Sequence, residues 1–388
     1  MKHRINILLF LFIGFINFCC SNKKKEIFNN ENCDTILPIN VELDDDLISF
    51  YDIFDSISII KLETSKESLI NSIDKILFNK DTVFVMDKKQ GCIFLFNSNG
   101  KYINKLSQQG NGPEEYFDLT DFTLNQKSNC IELLSAYRGI YCFDMDLKFI
   151  NKVTLPDKII PVHNFAIIDD NTRALYNTVR ENRIELFNIN SKTIKYFFKV
   201  PLYIYREASL GGSFTLENKE YGKAIFTQSF SNIVYSITNS KIVPLYKLDF
   251  NKYNFNINDI KPNLSQNEYD NIIRSSSFKD KHVYHFTAND YNSSIYLTQF
   301  SFSSKNELFT IIYNKSNNKY IKIKKFKEGV FFPYYPILTE DNIYAIANDT
   351  LVLNAYINSK IKEYNLITKN DLDHDMNPIV LKYKLKKH

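Results

Sequence analysis

The sequence predicts an all-β fold: a six-bladed β-propeller with four-stranded blades, a ring closed by N- and C-terminal strands, and two short helical insertions. Three observations carry this prediction. A fourteen-residue phrase recurs five times, two further apolar runs precede it, and the two ends of the chain hold strands that complete no blade by themselves.

The phrase reads IFLFNSNGKYINKL from Ile93, IYCFDMDLKFINKV from Ile140, IELFNINSKTIKYF from Ile184, IVYSITNSKIVPLY from Ile233 and IIYNKSNNKYIKIK from Ile311, at intervals of 47, 44, 49 and 78 residues. Self-similarity at such a period marks one supersecondary unit stacked several times. In the first copy Ile93 and Leu95 alternate with Phe94 and Phe96. Alternate side chains of a strand point to opposite faces, so both faces are apolar and both must be covered by neighbouring sheets. Asn97 to Gly100, Asp144 to Leu147, Asn188 to Ser191 and Asn314 to Asn317 follow the first strand. Asn, Asp and Gly tolerate left-handed backbone angles, so each copy predicts a β-hairpin. A lysine follows each turn (Lys101, Lys148, Lys192, Lys241, Lys319), as expected of a solvated charge that blunts an outer edge.

Upstream of the hairpins lie strand-like runs such as Asp81–Asp87, Asn129–Leu134 and Gly222–Thr227. Before these come Ser72–Phe78, Thr120–Leu124 and His163–Ile168. Four strands per unit at this period predict propeller blades; a solenoid repeat would be shorter and would need capped ends. At the C-terminus, Asp341–Ala347 reads as an inner strand and Asn377–Leu385 as an outer one. Ser56–Leu62 has no blade of its own, and pairing it with the C-terminal strand would close the ring and remove both free edges. Apolar spacing predicts helical insertions over Asn256–Phe278 and Ala355–Leu372. The 388 residues include 32 Phe, 25 Tyr and no Trp, a composition suited to strands and flat inter-sheet packing. No linker divides the chain after residue 40, so residues 56–388 are expected to form one propeller.

Lys2, His3 and Arg4 precede an apolar run from Ile5 to Phe18, which ends at Cys19-Cys20. That run is short for a bilayer span and has the layout of a secretory signal. An apolar core ending at a cysteine resembles a bacterial lipoprotein signal, in which the cysteine carries the lipid. Cys20, with Cys19 as the alternative, is the expected lipidation site, residues 1–19 the signal and residues 20–55 a tether and lead-in. Beyond Lys25 there are 43 basic and 44 acidic residues, a balance that gives no field for nucleic acid. Cys130 and Cys142 fall on adjacent strands of one hairpin, where a cross-strand pair or buried free thiols are both open.

Between the first two blades lies Gln108-Gln109-Gly110-Asn111-Gly112-Pro113-Glu114-Glu115-Tyr116, a tight turn by its Gly and Pro content. It reads either as a ligand-contacting loop or, preferably, as an inter-blade connection whose Glu caps backbone amides. Gly110, Asn111, Gly112, Pro113, Glu115 and Tyr116 resemble the GxGPGEY signature of the six-bladed β-propeller lipoproteins of Gram-negative bacteria, which are NHL-like in shape. Ile60–Thr64 is similar to that family's IPLET stretch, Val83–Asp87 to its first-blade strand, and Asn377–Val380 to its closing segment. Glu114 and Lys61 depart from it, standing where the family often has glycine and proline. The resemblance spans about Ile57 to the C-terminus; it implies a six-bladed propeller on a lipid-anchored protein and no particular reaction.

Catalytic and cofactor patterns are absent from the sequence. There is no G-x-S-x-G elbow and no phosphate loop. His282 and His285 have strand spacing that separates their side chains. Asp371-Leu-Asp-His-Asp375 continues with Met376 and Lys382 where a calcium loop would need Gly and Glu. Arg138, Arg173, Arg180, Arg183 and Arg206 are expected as ordinary surface arginines, with a face that recognises carboxylates or acidic sugars as the alternative. The functional expectation is therefore a lipid-anchored, monomeric envelope module, without cofactor or metal, that acts as a binding or scaffold module for a glycan, a peptide or an envelope protein. The rival expectation is a propeller hydrolase or lyase with its site at the central channel, where Asp74, Asp121, Asp169 and Asp341 are the carboxylates to examine.

Overall fold

The computed structural model describes residues 36–44, 47–199, 217–220, 222–227, 231–255, 260–261, 263–283, 285–332, 334–347, 350–372 and 375–386. The chain opens with β1 (Leu37–Asn40), the one-turn helix α1 (Phe50–Ile53) and β2 (Phe54–Lys61). Blade 1 is β3 (Lys75–Asn79), β4 (Thr82–Asp87), β5 (Cys92–Asn97) and β6 (Tyr102–Leu106). Blade 2 is β7 (Asp121–Asn125), β8 (Cys130–Ser135), β9 (Gly139–Asp144) and β10 (Phe149–Val153). Blade 3 is β11 (Asn164–Ile167), β12 (Thr172–Tyr176), β13 (Asn182–Asn188) and β14 (Ile194–Lys199). Blade 4 is β15 (Glu217–Glu220), β16 (Lys223–Thr227), β17 (Ile233–Ile237) and β18 (Ile242–Asp249), with β1 added in parallel on its outer edge. After α2 (Gln266–Arg274) and α3 (Ser276–Lys279), blade 5 is β19 (His285–Tyr291), β20 (Ile295–Phe302), β21 (Glu307–Asn314) and β22 (Lys319–Ile323). Blade 6 is β23 (Ile337–Leu338), β24 (Asn342–Ala347) and, after α4 (Thr350–Ile357), β25 (Ile379–Leu385), with β2 outermost.

The five copies of the phrase are the third and fourth strands of blades 1 to 5. Their turns form as the residue types require. Asn97 Oδ1 accepts from the N–H groups of Asn99 and Lys101, both at 3.0 Å, and Asp144 Oδ1 accepts from Lys148 N–H at 2.8 Å. All five lysines after the turns are exposed. Gly100 has φ +83°, and a Cβ there would meet the Lys61 carbonyl oxygen at 2.2 Å, so only glycine lets this turn sit against the closing strand.

Ring closure follows the expected pairing. β2 runs antiparallel to β25 from Phe54↔Leu385 to Lys61↔Ile379. Six apolar clusters fill the six seams between neighbouring blades. In the seam between blades 6 and 1, Ile60, Leu62 and Val380 meet Val83, Val85, Phe94 and Phe96. Burying one such side chain stabilises by about 1.5–3 kcal/mol, so each seam is a substantial joint. Asn377 locks this seam: its N–H donates to Thr64 Oγ1 (2.9 Å), its Nδ2 to the carbonyls of Glu63 (2.7 Å) and Ser68 (2.9 Å), and its Oδ1 accepts from Ile70 N–H (2.8 Å).

Three details differ from the sequence expectations. The innermost strand of blade 6 is the two-residue β23, and Asp341–Ala347 supplies the second strand instead. The C-terminal helix lies at Thr350–Ile357, and Lys362–Leu366 and Lys369–Leu372 are 3-10 turns. The spacing of Ile361, Tyr364 and Ile367 that suggested helix instead places three buried side chains against blade 6. Residues 37–44 and 47–53, lead-in by sequence, lie along three blades. β1 pairs with β18, the Glu42 backbone carbonyl accepts from Lys322 Nζ (2.7 Å), and Ser49 caps α1 while Phe50 packs on Phe54, Phe326 and Tyr383. Within the Asn256–Phe278 region, α2 carries a capping box of Ser265 and Glu268. No helix among the described residues is long and apolar enough to cross a membrane.

Candidate functional site

Because the strands of each blade alternate in direction, the loops between blades share one end of the ring with the loops joining second to third strands. The hairpin turns of the repeated phrase occupy the other end. At the first end a cavity of about 550 Å³ opens on the axis, lined by β3, β7, β11, β19 and residues at the start of β23. That volume is within the range of small-molecule sites.

The polar groups of this cavity come from different blades. Asp121, the first residue of β7, accepts from Lys75 Nζ (2.9 Å), Asn164 Nδ2 (2.6 Å) and Phe165 N–H (3.1 Å), which ties blades 1, 2 and 3 together at the axis. Asn164 Nδ2 is thereby fixed, and its Oδ1 is buried with no hydrogen bond among the described residues. Asp290 accepts from Leu338 N–H at 2.7 Å and so joins blade 5 to blade 6. Asp74 accepts from Lys88 N–H at 2.9 Å, and the exposed Lys88 side chain reaches the cavity. His163 Nδ1 accepts from Thr178 N–H at 3.4 Å. Burial, then the nearby Arg180 and Lys88 cations, lowers the His163 pKa, which favours the neutral ring.

A pH dependence follows. The unfolded chain holds its His163 proton up to the ordinary pKa of about 6.5, whereas the folded chain releases it at lower pH. His163 therefore withdraws stability as the pH falls below about 6.5 toward the lowered folded value. The melting temperature of a His163→Gln variant is expected to fall less steeply over that window than that of the parent. Parallel curves would contradict the assignment.

Exposed rings stand on the loops at this end of the ring. Phe117 precedes β7, Tyr137 joins β8 to β9, and Tyr334 and Tyr335 precede β23; each is half exposed or more. Arg138 holds its guanidinium 5.4 Å from the centre of the Phe117 ring, and Tyr335 itself lines the cavity.

The Gly110–Tyr116 loop lies beside this end and is held by its own hydrogen bonds. Glu115 accepts from Gly112 N–H at 2.8 Å, and a Cβ on Gly110 would meet the Glu115 carboxylate at 2.0 Å. Asn111, Pro113 and Glu115 are exposed, whereas Tyr116 is fully buried. The Tyr116 hydroxyl donates to Gly91 O (2.7 Å) and accepts from Gln108 N–H (3.1 Å), and its ring stands edge-on to Tyr141 and Phe143. The loop thus fastens blade 1 to blade 2. Tyr116→Phe leaves the Gln108 N–H and Gly91 carbonyl short of a partner and is expected to cost roughly 1–3 kcal/mol in urea unfolding. Glu115→Ala, at an exposed position, is expected to cost less.

Of the four carboxylates singled out by sequence, Asp74 and Asp121 line the cavity. Asp169 lies in a separate hollow with Asp170 and Asn239, and Asp341 falls in the turn between β23 and β24, both at the opposite end. Asp371 is bound to Lys61 Nζ at 2.7 Å and to Thr368 N–H at 2.6 Å. The expected surface arginines are corrected in two cases. Arg173 and Arg183 are buried, because each reaches inward from a second or third strand into a seam or a turn. Arg173 donates from Nε to Glu132 Oε2 and from Nη2 to Glu132 Oε1, both at 2.7 Å, across the seam between blades 2 and 3. Arg206 and Cys19–Cys20 lie outside the described residues.

Below that ion pair, Cys130, Cys142 and Glu132 bring two thiols and a carboxylate oxygen within 4.8 Å of one another, all buried. Cys92, Cys130 and Cys142 are free thiols. Lys75, Lys88, His163, Asn164 and Tyr335 were not foreseen as site residues. For Lys75, His163 and Asn164 the signal was position: Asp74-Lys75 and His163-Asn164, like Thr120-Asp121, stand where the chain enters an innermost strand.

A closed ring of six four-stranded blades with an axial cavity at its loop end defines a six-bladed β-propeller. The chain belongs to the family described as a domain of unknown function, DUF4934, which matches residues 35–384. It is similar to the crystal structure of a protein described as exported, from Bacteroides fragilis NCTC 9343, with a TM-score of 0.70 and 17% identity over 91% of this chain and 100% of that one. It is also similar to a member of the DUF4221 family from Bacteroides vulgatus ATCC 8482, with a TM-score of 0.56 and 12% identity over 86% and 99% of the two chains. No curated protein matches the sequence.

Proposed function

We propose that the chain is a binding module of the bacterial envelope whose axial cavity takes part of a glycan. One observation carries this reading: a cavity of about 550 Å³ whose polar groups come from five blades opens at the end that carries the exposed rings of Phe117, Tyr137, Tyr334 and Tyr335. Sugars present apolar ring faces and a periphery of hydroxyls. Exposed aromatic side chains match the first, and the Lys88, Asn289, Asp74 and Asn164 groups match the second. The apolar run ending at Cys20, with Cys19 as the alternative, and the likeness to a protein described as exported support a lipid-anchored location in the envelope. The near-neutral body supports a partner other than nucleic acid.

Calorimetric titration of the full chain with short oligosaccharides from bacterial envelope polysaccharides tests this. At least one is expected to bind, and Tyr335→Ala and Lys88→Ala are each expected to weaken it about tenfold, the equivalent of one lost contact of roughly 1.4 kcal/mol. Binding unchanged in both variants, or binding of envelope peptides in place of sugars, would refute the glycan reading. The enzymatic alternative draws on Asp74, Asp121 and His163 facing the same cavity. It requires that sugar products accumulate during the titration and that Asp74→Asn stops them.

A further inference from the structure

We propose that Cys130, Glu132 and Cys142 form a binding site for a thiophilic divalent cation of the zinc class inside blade 2. Residues 130 and 132 are two apart on β8 and share one face, and Glu132 stands directly opposite Cys142 on β9. All three side chains are buried on the face that meets blade 3, where Glu132 contacts Arg173 of β12.

The spacing suits an ion better than a covalent bond. The two sulfurs and a carboxylate oxygen lie within 4.8 Å of one another. A tetrahedral ion with metal–sulfur bonds of about 2.3 Å holds its sulfurs about 3.8 Å apart, so small rotamer changes close the cage. Cys130 is opposite Asp144, which makes Cys130 and Cys142 a diagonal pair. Diagonal partners have Cα atoms about 7–8 Å apart. A disulfide spans less than about 7 Å without backbone movement.

The charges also close. Binding follows M²⁺ + 2 RSH → M(SR)₂ + 2 H⁺, so two thiolates cancel the ion and the two protons leave to solvent. Glu132 and Arg173 already cancel each other, and the buried site is neutral before and after binding. Arg173 and Asn125 together donate three hydrogen bonds to Glu132. A carboxylate offers about four lone-pair positions, which leaves one for a metal and gives the ligand an oriented outer shell. Ser128 Oγ lies 3.3 Å from Cys130 Sγ, placed to hold the fourth ligand or its water. Residues 126–129 form an exposed turn that leads directly into Cys130, a short entry path. Nothing here depends on what the axial cavity binds.

The test is to titrate the reduced, chelator-treated full chain with Co²⁺ and then Zn²⁺. One equivalent of Co²⁺ is expected to produce thiolate-to-metal absorption and the visible bands of tetrahedral cobalt, which Zn²⁺ then erases. Cys130→Ser and Cys142→Ser should each abolish the bands, and Cys92→Ser should retain them. Absence of bands in the parent, their persistence in both variants, or a Cys130–Cys142 disulfide in protein isolated from the envelope overturns the proposal. Should the two variants not fold, zinc must slow alkylation of Cys130 and Cys142 in the parent, mapped by peptide mass, by roughly tenfold while leaving Cys92 unchanged. Equal labelling with and without zinc overturns it as well.

Discussion

Removing residues from Asn377 to His388 is expected to leave a chain with no cooperative melting transition. β25 is an interior strand of blade 6, hydrogen-bonded to β24 on one side and to β2 on the other. Its loss strips both ladders at once and leaves β2 with no partner. It also takes Leu381, Tyr383 and Leu385 from the seam with blade 5 and Val380 from the seam with blade 1. The four hydrogen bonds of Asn377 disappear with them. Two exposed sheet edges would remain, each a template for aggregation. Differential scanning calorimetry and near-ultraviolet circular dichroism decide the matter. A soluble truncated chain that melts in one cooperative step would show that the ring does not need its closing strand.

The second large effect is expected at Arg173. Both Arg173 and Glu132 are nearly excluded from solvent, and the guanidinium also donates from Nη1 to the Asp169 carbonyl at 2.7 Å. Arg173→Met strands the Glu132 carboxylate in the seam between blades 2 and 3. Breaking a buried pair from one side costs about 3–5 kcal/mol, whereas replacing both members with apolar groups of similar volume is often near neutral. The double variant Arg173→Met, Glu132→Leu is therefore expected to recover most of the loss. Urea unfolding in chelator-containing buffer measures both. A single variant as stable as the parent, or a double variant worse than the single, would show that the pair does not act as a unit.

The outer half of blades 1 to 5 was legible in the sequence because its constraints are local. Strand, Asx turn, lysine and strand occupy fourteen consecutive residues, and each turn closes on its own side chains, as Asn97 and Asp144 show. Closure was legible because Ser56–Leu62 and Asn377–Leu385 were strands without a blade. The inner half was harder. β23 has two residues, too few for any period, so the sequence pattern points to the second strand of blade 6 as the inner one. β1 is four residues long, includes Pro38, and acquires its meaning by lying on β18, more than 200 residues away. Arg173 and Arg183 looked like surface residues because nothing local announces Glu132 as a partner 41 positions upstream of Arg173. The central channel with Asp74 and Asp121 was legible, but the partners that meet there were not. Lys75, Asp121 and Asn164 meet only after three blades have been wound around the axis. The signature loop was readable as a turn, and its burial of Tyr116 follows from contacts to Gly91, Tyr141 and Phe143 that no local pattern contains.

The axial cavity draws its wall from separate sheets. Lys88 stands on blade 1, Asn289 on blade 5 and Tyr335 ahead of blade 6, each carried by a sheet with its own hydrogen-bond ladder. Changes at well-separated positions without shared partners usually add in free energy. Under the proposed binding role, one blade can exchange its contact while the others keep theirs. Selectivity can drift in small independent steps, and relatives sharing this architecture can diverge in what they hold without relearning how to fold.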